Sequence, residues 1–237
     1  MASKAEMLAR IRTALGRSEV GVPEPLPAYV HDLAPAREGD LIELFCKQSR
    51  GLGAQVARMR TADEVKEYVA GLVVRCERPQ VALSDGELTR WSGLGEYFSA
   101  QGHDVLHTLR EYAEGRGDAG DLMEGYKQEL VKVNIGVTSA DYAIADTGTL
   151  VLVSGSEQHR LMSLVPPVHV CLLEEDLIVA SLPDLLALAG QKYYSSKSAP
   201  LATTFITGPS RTADIELSLT LGVHGPRELH TLLIGGR

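Results

Sequence analysis

The sequence predicts an α/β protein built on a mostly parallel sheet, and two observations predict it. Short aliphatic runs with strand character, such as residues 81–83 and 168–173, alternate along the chain with amphipathic helical stretches. That alternation is what strands joined by helical crossovers leave in a sequence. The composition, 44% hydrophobic and 23% charged over 237 residues, supplies enough apolar surface for a substantial core.

The elements are read in chain order. Residues 2–16 form a helix: Met7, Ile11 and Leu15 recur every four residues, Leu8 widens the stripe, and Gly16 suits the stop. Residues 18–37 then carry Pro23, Pro25, Pro27 and Pro35. Proline fixes φ and removes an amide donor, so this stretch is expected to be a stiff spacer without regular structure. The chain thus divides into an N-terminal helix with a Pro-rich linker, 1–38, and an α/β domain, 39–237. The leading helix is tethered, and either packs on its own domain or docks on another subunit.

From residue 39 helix and strand alternate. Leu41, Ile42, Leu44 and Phe45 give 41–46 a helical face, and 55–58 is a short strand. Thr61-Ala62-Asp63-Glu64 is a capping box, in which hydroxyl and carboxylate each satisfy an amide left open at a helix start. The helix it opens carries Val65, Tyr68, Val69, Leu72 and Val73. Residues 81–83 form a strand, 87–100 a helix with Leu88, Trp91, Leu94 and Phe98 inward, 104–107 a short strand, and 121–128 a helix. Val131, Val133, Ile135 and Val137 alternate with polar or small residues, the period of a strand. Residues 143–145 and 149–153 flank Asp146-Thr147-Gly148 as a hairpin. Further strands are 168–173, 177–179, 202–207 and 228–234, and Pro183 opens a helix reaching 189. The strands are expected in one mostly parallel sheet, with Leu150, Val151, Ile206 and Leu217 near the core.

Charge and cysteine content narrow the function. Asp and Glu number 31 against 23 Lys and Arg, a net charge of −8, which argues against a whole-chain nucleic-acid binder, because phosphate needs surplus cations. Cys46, Cys76 and Cys171 are too scattered for a zinc or iron–sulfur site and read as buried thiols of a reducing compartment. No run is long and apolar enough to span a bilayer, and Lys4, Glu6, Arg10 and Arg12 stand where a signal peptide needs apolar residues, so a cytoplasmic location is expected.

Three motif matches mislead. Gly115-x-Gly117-x-x-Gly120 spells a dinucleotide fingerprint, but no buried strand precedes it, and Asp118 and Asp121 oppose the positive potential that pyrophosphate needs. Tyr193-x-x-x-Lys197 lacks a cofactor loop upstream and reads as a polar surface segment. His103 and His107 have no third ligand beside them.

The polar residues that call for explanation cluster late in the chain. Asp146-Thr147-Gly148-Thr149 is a turn between apolar strands, where Gly148 permits positive φ. His159-Arg160 follows a Ser-Gly-Ser break, and Pro166-Pro167 fixes the approach to His169. Gly208-Pro209-Ser210-Arg211, running on through Asp214 to Glu216, follows a strand end, and Gly222-Val223-His224-Gly225-Pro226 presents one imidazole. Small residues after a strand end let amides face a ligand, and in parallel sheets that edge is where ligands bind. Arg160 and Arg211 suit a carboxylate or phosphate, because a guanidinium grips both oxygens. His169 and His224 are candidates to move a proton near neutral pH. The candidate catalytic residues are therefore His169, His224 and Glu216. The candidate binding residues are Asp146, Thr147, Gly148, Thr149, His159, Arg160, Gly208, Ser210, Arg211, Asp214 and Gly225. No metal site is expected.

These residues carry a resemblance. The run from Asn134-Ile135-Gly136-Val137-Thr138-Ser139-Ala140-Asp141 through Asp146-Thr147-Gly148-Thr149-Leu150 resembles the signature of the lactate-utilisation (LUD) domain family. His159-Arg160, Ser163-Leu164-Val165-Pro166-Pro167-Val168-His169, Gly208–Glu216 and Gly222–Pro226 continue it in order. The resemblance covers roughly residues 40–237 and implies a three-layer, Rossmann-like arrangement similar to the sugar-isomerase and CoA-transferase superfold. It implies a part in oxidising L-lactate to pyruvate beside iron–sulfur partner subunits, with no redox cofactor in this chain and lactate or pyruvate as the small carboxylate. It brings no settled catalytic residues. The alternatives are a stand-alone isomerase or acyl transferase using a carboxylate such as Glu216, and a carboxylate-binding regulatory protein or adaptor.

Overall fold

A computed structural model describes residues 4–14, 16, 40–76, 79–113, 119–154, 160–189, 202–213, 219–222 and 224–236. The Pro-rich spacer 18–37, Gly115, Gly117, Tyr193, Lys197 and Leu217 lie outside the described residues. The chain separates into two units, 1–34 and 35–237. In the first, α1 (Lys4–Ala14) exposes Met7, Leu8 and Ile11.

The second unit begins with α2 (Leu41–Gly51), β1 (Gln55–Met59), α3 (Ala62–Val73), β2 (Gln80–Leu83), α4 (Glu87–Ser92), α5 (Leu94–Ala100) and β3 (Asp104–Leu106). There follow α6 (Leu109–Ala113), α7 (Ala119–Leu130), β4 (Ile135–Ser139), β5 (Tyr142–Ile144), β6 (Thr149–Ser154), β7 (Val168–Glu174) and β8 (Ile178–Val179). The chain closes with α8 (Leu182–Ala189), β9 (Ala202–Ile206), β10 (Arg211–Ala213), β11 (Leu219–Leu221) and β12 (Glu228–Ile234).

Six strands form the expected parallel sheet, in the order β1-β12-β7-β4-β2-β3. Its register sets Glu228 opposite Val168 and Ile135 opposite Val168, so β12 and β4 flank β7 at its first residue. Side chains alternate between faces along each strand. On one face Val170, Leu172 and Leu232 meet Val65 and Val69 of α3, Leu88 of α4, and Leu94 and Phe98 of α5. On the other, Cys171, Leu173, Leu229 and Leu233 meet Phe45 and Cys46 of α2 with Leu150 and Leu152 of β6. Burial on both faces explains why these strands read as continuous apolar runs.

Not all strands join this sheet. The order β8-β5-β6-β9 makes a separate four-stranded sheet, and β10 pairs with β11 as an antiparallel ribbon. The single-sheet expectation is corrected: β5 and β6 hydrogen-bond to each other as a hairpin, β9 adds antiparallel to β6, and this layer covers the parallel sheet face-on. Leu150 and Val151 are buried as expected, Val151 beneath Leu185 of α8.

Local signals explain other boundaries. Asp40 caps α2, accepting from the Ile42 amide at 2.9 Å. Thr61 caps α3, accepting from the Glu64 amide at 3.2 Å, while the Glu64 carboxylate reaches back one residue further, to the Arg60 amide at 2.6 Å. The helix expected over 87–100 breaks at Gly93, whose φ of 64° ends α4 and starts α5. The strand expected from Val131 begins only at Ile135, because α7 runs on to Leu130 and Val133 packs with Tyr126 and Leu130. Among the described residues no helix is long and apolar enough to cross a membrane.

Candidate functional site

The loops at the amino-terminal ends of β7 and β12 are tied into one structure by backbone hydrogen bonds. The Ser210 amide donates to Pro226 O at 2.9 Å, the Gly222 amide to Ser210 O at 3.0 Å, and the Arg227 amide to Pro167 O at 2.8 Å. These bonds gather the segments after β9, after β11 and before β7 around a cavity of about 180 Å³. Its polar lining is Ser163, His169, Thr204, Thr207, Ser210 and His224, with Gly208, Gly225, Phe205 and Leu229 beside them. No carboxylate, lysine or arginine is among the described lining residues.

His169 forms the inner wall. Its place on β7 is opposite Gly136 of β4 and Leu229 of β12. Gly136 has no β-carbon, and one placed there would collide with the carbonyl oxygen of Met162. Only glycine lets the 3-10 turn Arg160–Ser163 lie directly on β4 and bring Ser163 to the cavity. The His169 ring is fully buried, and its Nε2 lies 2.8 Å from the Thr138 hydroxyl. Its Nδ1 is buried without a hydrogen-bond partner. Burial, with His230 nearby, pulls the His169 pKa down to about 3. The imidazole is therefore neutral at pH 7, which corrects the expectation that it moves a proton near neutrality. Cys171, 3.8 Å from the same Thr138 hydroxyl, is pushed up by burial to about 12 and is no nucleophile.

The other candidate residues divide. Gly208, Ser210, His224 and Gly225 line the cavity with His169, and His224 is exposed at its rim. Thr149 and Thr147 stand behind that wall. The Thr149 hydroxyl donates to Thr147 Oγ1 at 2.8 Å, so the single proton of Thr207 is the one left to bridge the 2.9 Å to Thr149. Gly148 has φ of 63° and lies against the Ser49 backbone of α2, and the Asp146 amide donates to Ala180 O. This turn braces the small sheet and does not face the cavity. Arg160 is exposed at the head of its turn, its carbonyl accepting from Ser163 Oγ at 2.9 Å. Arg211 is directed away: its guanidinium donates to the carbonyl of Leu52, latching β10 onto the α2–β1 turn. Its expected ligand-gripping role gives way to this structural one. His159, Asp214 and Glu216 lie outside the described residues.

Sequence reasoning missed Thr138, Ser163, Thr204 and Thr207. Thr138 and His169 are 31 residues apart and meet only through the β4–β7 pairing, so no local signal announces them. It also missed a network on the opposite face: Tyr68 Oη lies 2.9 Å from His230 Nδ1, His230 Nε2 lies 3.3 Å from Glu228, and Arg75 forks onto Glu228 at 3.0 and 3.1 Å. A larger, open cleft of about 1070 Å³ lies at the other end of β1 and β12, among Arg58, Arg60, Glu64, Glu67, Tyr68 and Glu175. There Arg58 is paired with Glu175 at 2.7 Å, and none of the candidate catalytic or binding residues lines it. Among the described residues no group of His, Cys, Asp and Glu is arranged to hold a metal ion.

Comparison with known proteins adds to this geometry. The LUD domain family matches residues 42–234. A Lactate utilization protein C of Halalkalibacterium halodurans is 38% identical over 108 residues, 45% of this chain and 47% of that protein. An uncharacterised protein of Neisseria meningitidis serogroup B is 42% identical over 113 residues, 47% of each chain. A Lactate utilization protein C 1 of Bacillus mycoides is 28% identical over 170 residues, 70% of this chain and 67% of that one. The match thus spans about half the length of the first two relatives. The crystal structure of a DUF162 family protein from Deinococcus radiodurans shares the fold, with a TM-score of 0.55 at 22% identity over 82% of this chain and 96% of that one.

Proposed function

This chain belongs to the LUD domain family, and we propose that it serves lactate utilisation as the subunit that holds a small carboxylate while iron–sulfur partner proteins take the electrons. In the full reaction L-lactate loses two electrons and two protons to become pyruvate, and the electrons pass to clusters in those partners. The observation that carries this reading is kinship to proteins named for lactate utilisation. Cavity size supports it: about 180 Å³ is below the ~300 Å³ at which drug-sized pockets begin, and suits a three-carbon acid better than a nucleotide. Three scattered cysteines offer no clustered thiolates, which is why electron carriage is assigned to partners. Cytoplasmic residence belongs to the same proposal.

The isomerase or acyl-transferase reading rests on Glu216, which lies outside the described residues, and no relative reported above is named for such an activity. The test is L-lactate-dependent dye reduction by the purified chain, by the iron–sulfur subunits, and by the mixture. Reduction in the mixture alone is expected. Turnover by this chain alone, or full activity without it, would contradict the proposal.

A further inference from the structure

Resting on the reading of the cavity as a small-acid site, we propose that His169 Nδ1 receives the oxygen carried on C2 of the acid, and so selects 2-hydroxy or 2-oxo acids against the unsubstituted acid. Three observations converge on this atom. The ring is clamped through Nε2 by Thr138, so its orientation is set before any ligand arrives. Nδ1 is the ring's other hydrogen-bonding atom, and it is buried without a partner. A buried orphan of this kind is destabilising, and folded proteins rarely retain one without a use. His169 lines the cavity at its closed inner end, and a slight opening of the lining around the ring brings the cavity's contents to Nδ1.

The chemistry of the lining sets the ligand's orientation. A neutral imidazole pairs with a hydroxyl or a carbonyl, and offers no charge to a carboxylate. Leu229 and Phe205 suit a methyl group, whereas His224 is exposed to solvent at the rim. The carboxylate is therefore placed toward His224 and water, with C2 turned inward to His169. Which acid is preferred depends on the Thr138 proton. If Thr138 donates to Cys171 Sγ, it accepts from Nε2–H, and Nδ1 is an acceptor for the hydroxyl of lactate. If Thr138 donates to Nε2, then Nδ1–H is a donor for the oxo group of pyruvate.

The experiment follows imidazole ¹⁵N resonances in the labelled full chain, titrated separately with L-lactate, pyruvate and propionate. The expected result is a shift of His169 Nδ1 with lactate or pyruvate, at least tenfold tighter than any response to propionate. The direction of the Nδ1 shift then reads donor against acceptor. His169→Phe is expected to erase the preference while propionate still binds. Should that variant not fold, Thr138→Val, which frees the ring, is expected to shrink the preference. Equal affinity for propionate and lactate in the wild-type chain would overturn the role of His169 while leaving the small-acid site standing. Absence of binding by all three acids would overturn both.

Discussion

At Gly136 the shape of the cavity depends on a missing side chain. The Met162 carbonyl occupies the space of a β-carbon, so Gly136→Ala must push the Arg160–Ser163 turn off β4. Backbone collisions of this kind cost about 1–3 kcal/mol. A lowered urea midpoint with an unchanged slope is expected, and an unchanged midpoint would show that the turn moves freely. His169 makes a prediction about pH. Its pKa is about 3 in the fold against ~6.5 in the unfolded chain. Protons therefore bind the unfolded state first: stability is full above ~6.5 and is lost as pH falls toward 3, by up to about 1.4 kcal/mol per pH unit. The buried, lowered His230 acts in the same direction. Urea unfolding at pH 7 and pH 5 measures the slope, and it should be shallower in His169→Gln. Equal slopes in the two proteins would mean that His169 is not the buried neutral group described.

Elements were legible from sequence where their cause is local. The α3 cap is an example: Thr61 and Glu64 occupy the positions a capping box requires, and both carboxylate and hydroxyl are engaged, though Glu64 reaches Arg60. Thr61→Ala is expected to cost about 1 kcal/mol, read from the thermal or urea midpoint. No measurable loss would mean that water satisfies the Glu64 amide equally well. The β5–β6 hairpin was legible for the same reason, since Gly148 supplies the positive φ that its turn needs. The break at Gly93 was not, because a glycine inside a helical pattern is compatible with both a continuous helix and a cap. Nor was the start of β4, where Val131 and Val133 continue a strand's alternation but follow a helix that ends only at Leu130.

At the scale of the whole molecule the parallel sheet was readable from alternating elements, but the division of strands between two sheets was not. It depends on hydrogen bonds between segments as distant as β6 and β9. The same division moves the candidate site. Parallel sheets usually bind ligands beyond the carboxyl ends of their strands. Here the glycine-rich segments that looked like such a binding edge lie at the amino ends of β7 and β12, because β9 belongs to the covering sheet and hands the chain over to that side. Residues gathered by this handover, His169, Gly208, Ser210, His224 and Gly225, were visible in sequence as polar or glycine positions. Arg211 was misread because its partner is a backbone carbonyl, which leaves no mark in a sequence. On the proposed function, the cavity at these amino ends holds the small acid. The most direct measurement is a crystal structure of the chain grown with L-lactate. Lactate density is expected between His169, Ser210 and His224, with C2 nearest His169. Lactate instead in the open cleft beside Arg58 and Arg60, or at the carboxyl ends of the parallel strands, would contradict it.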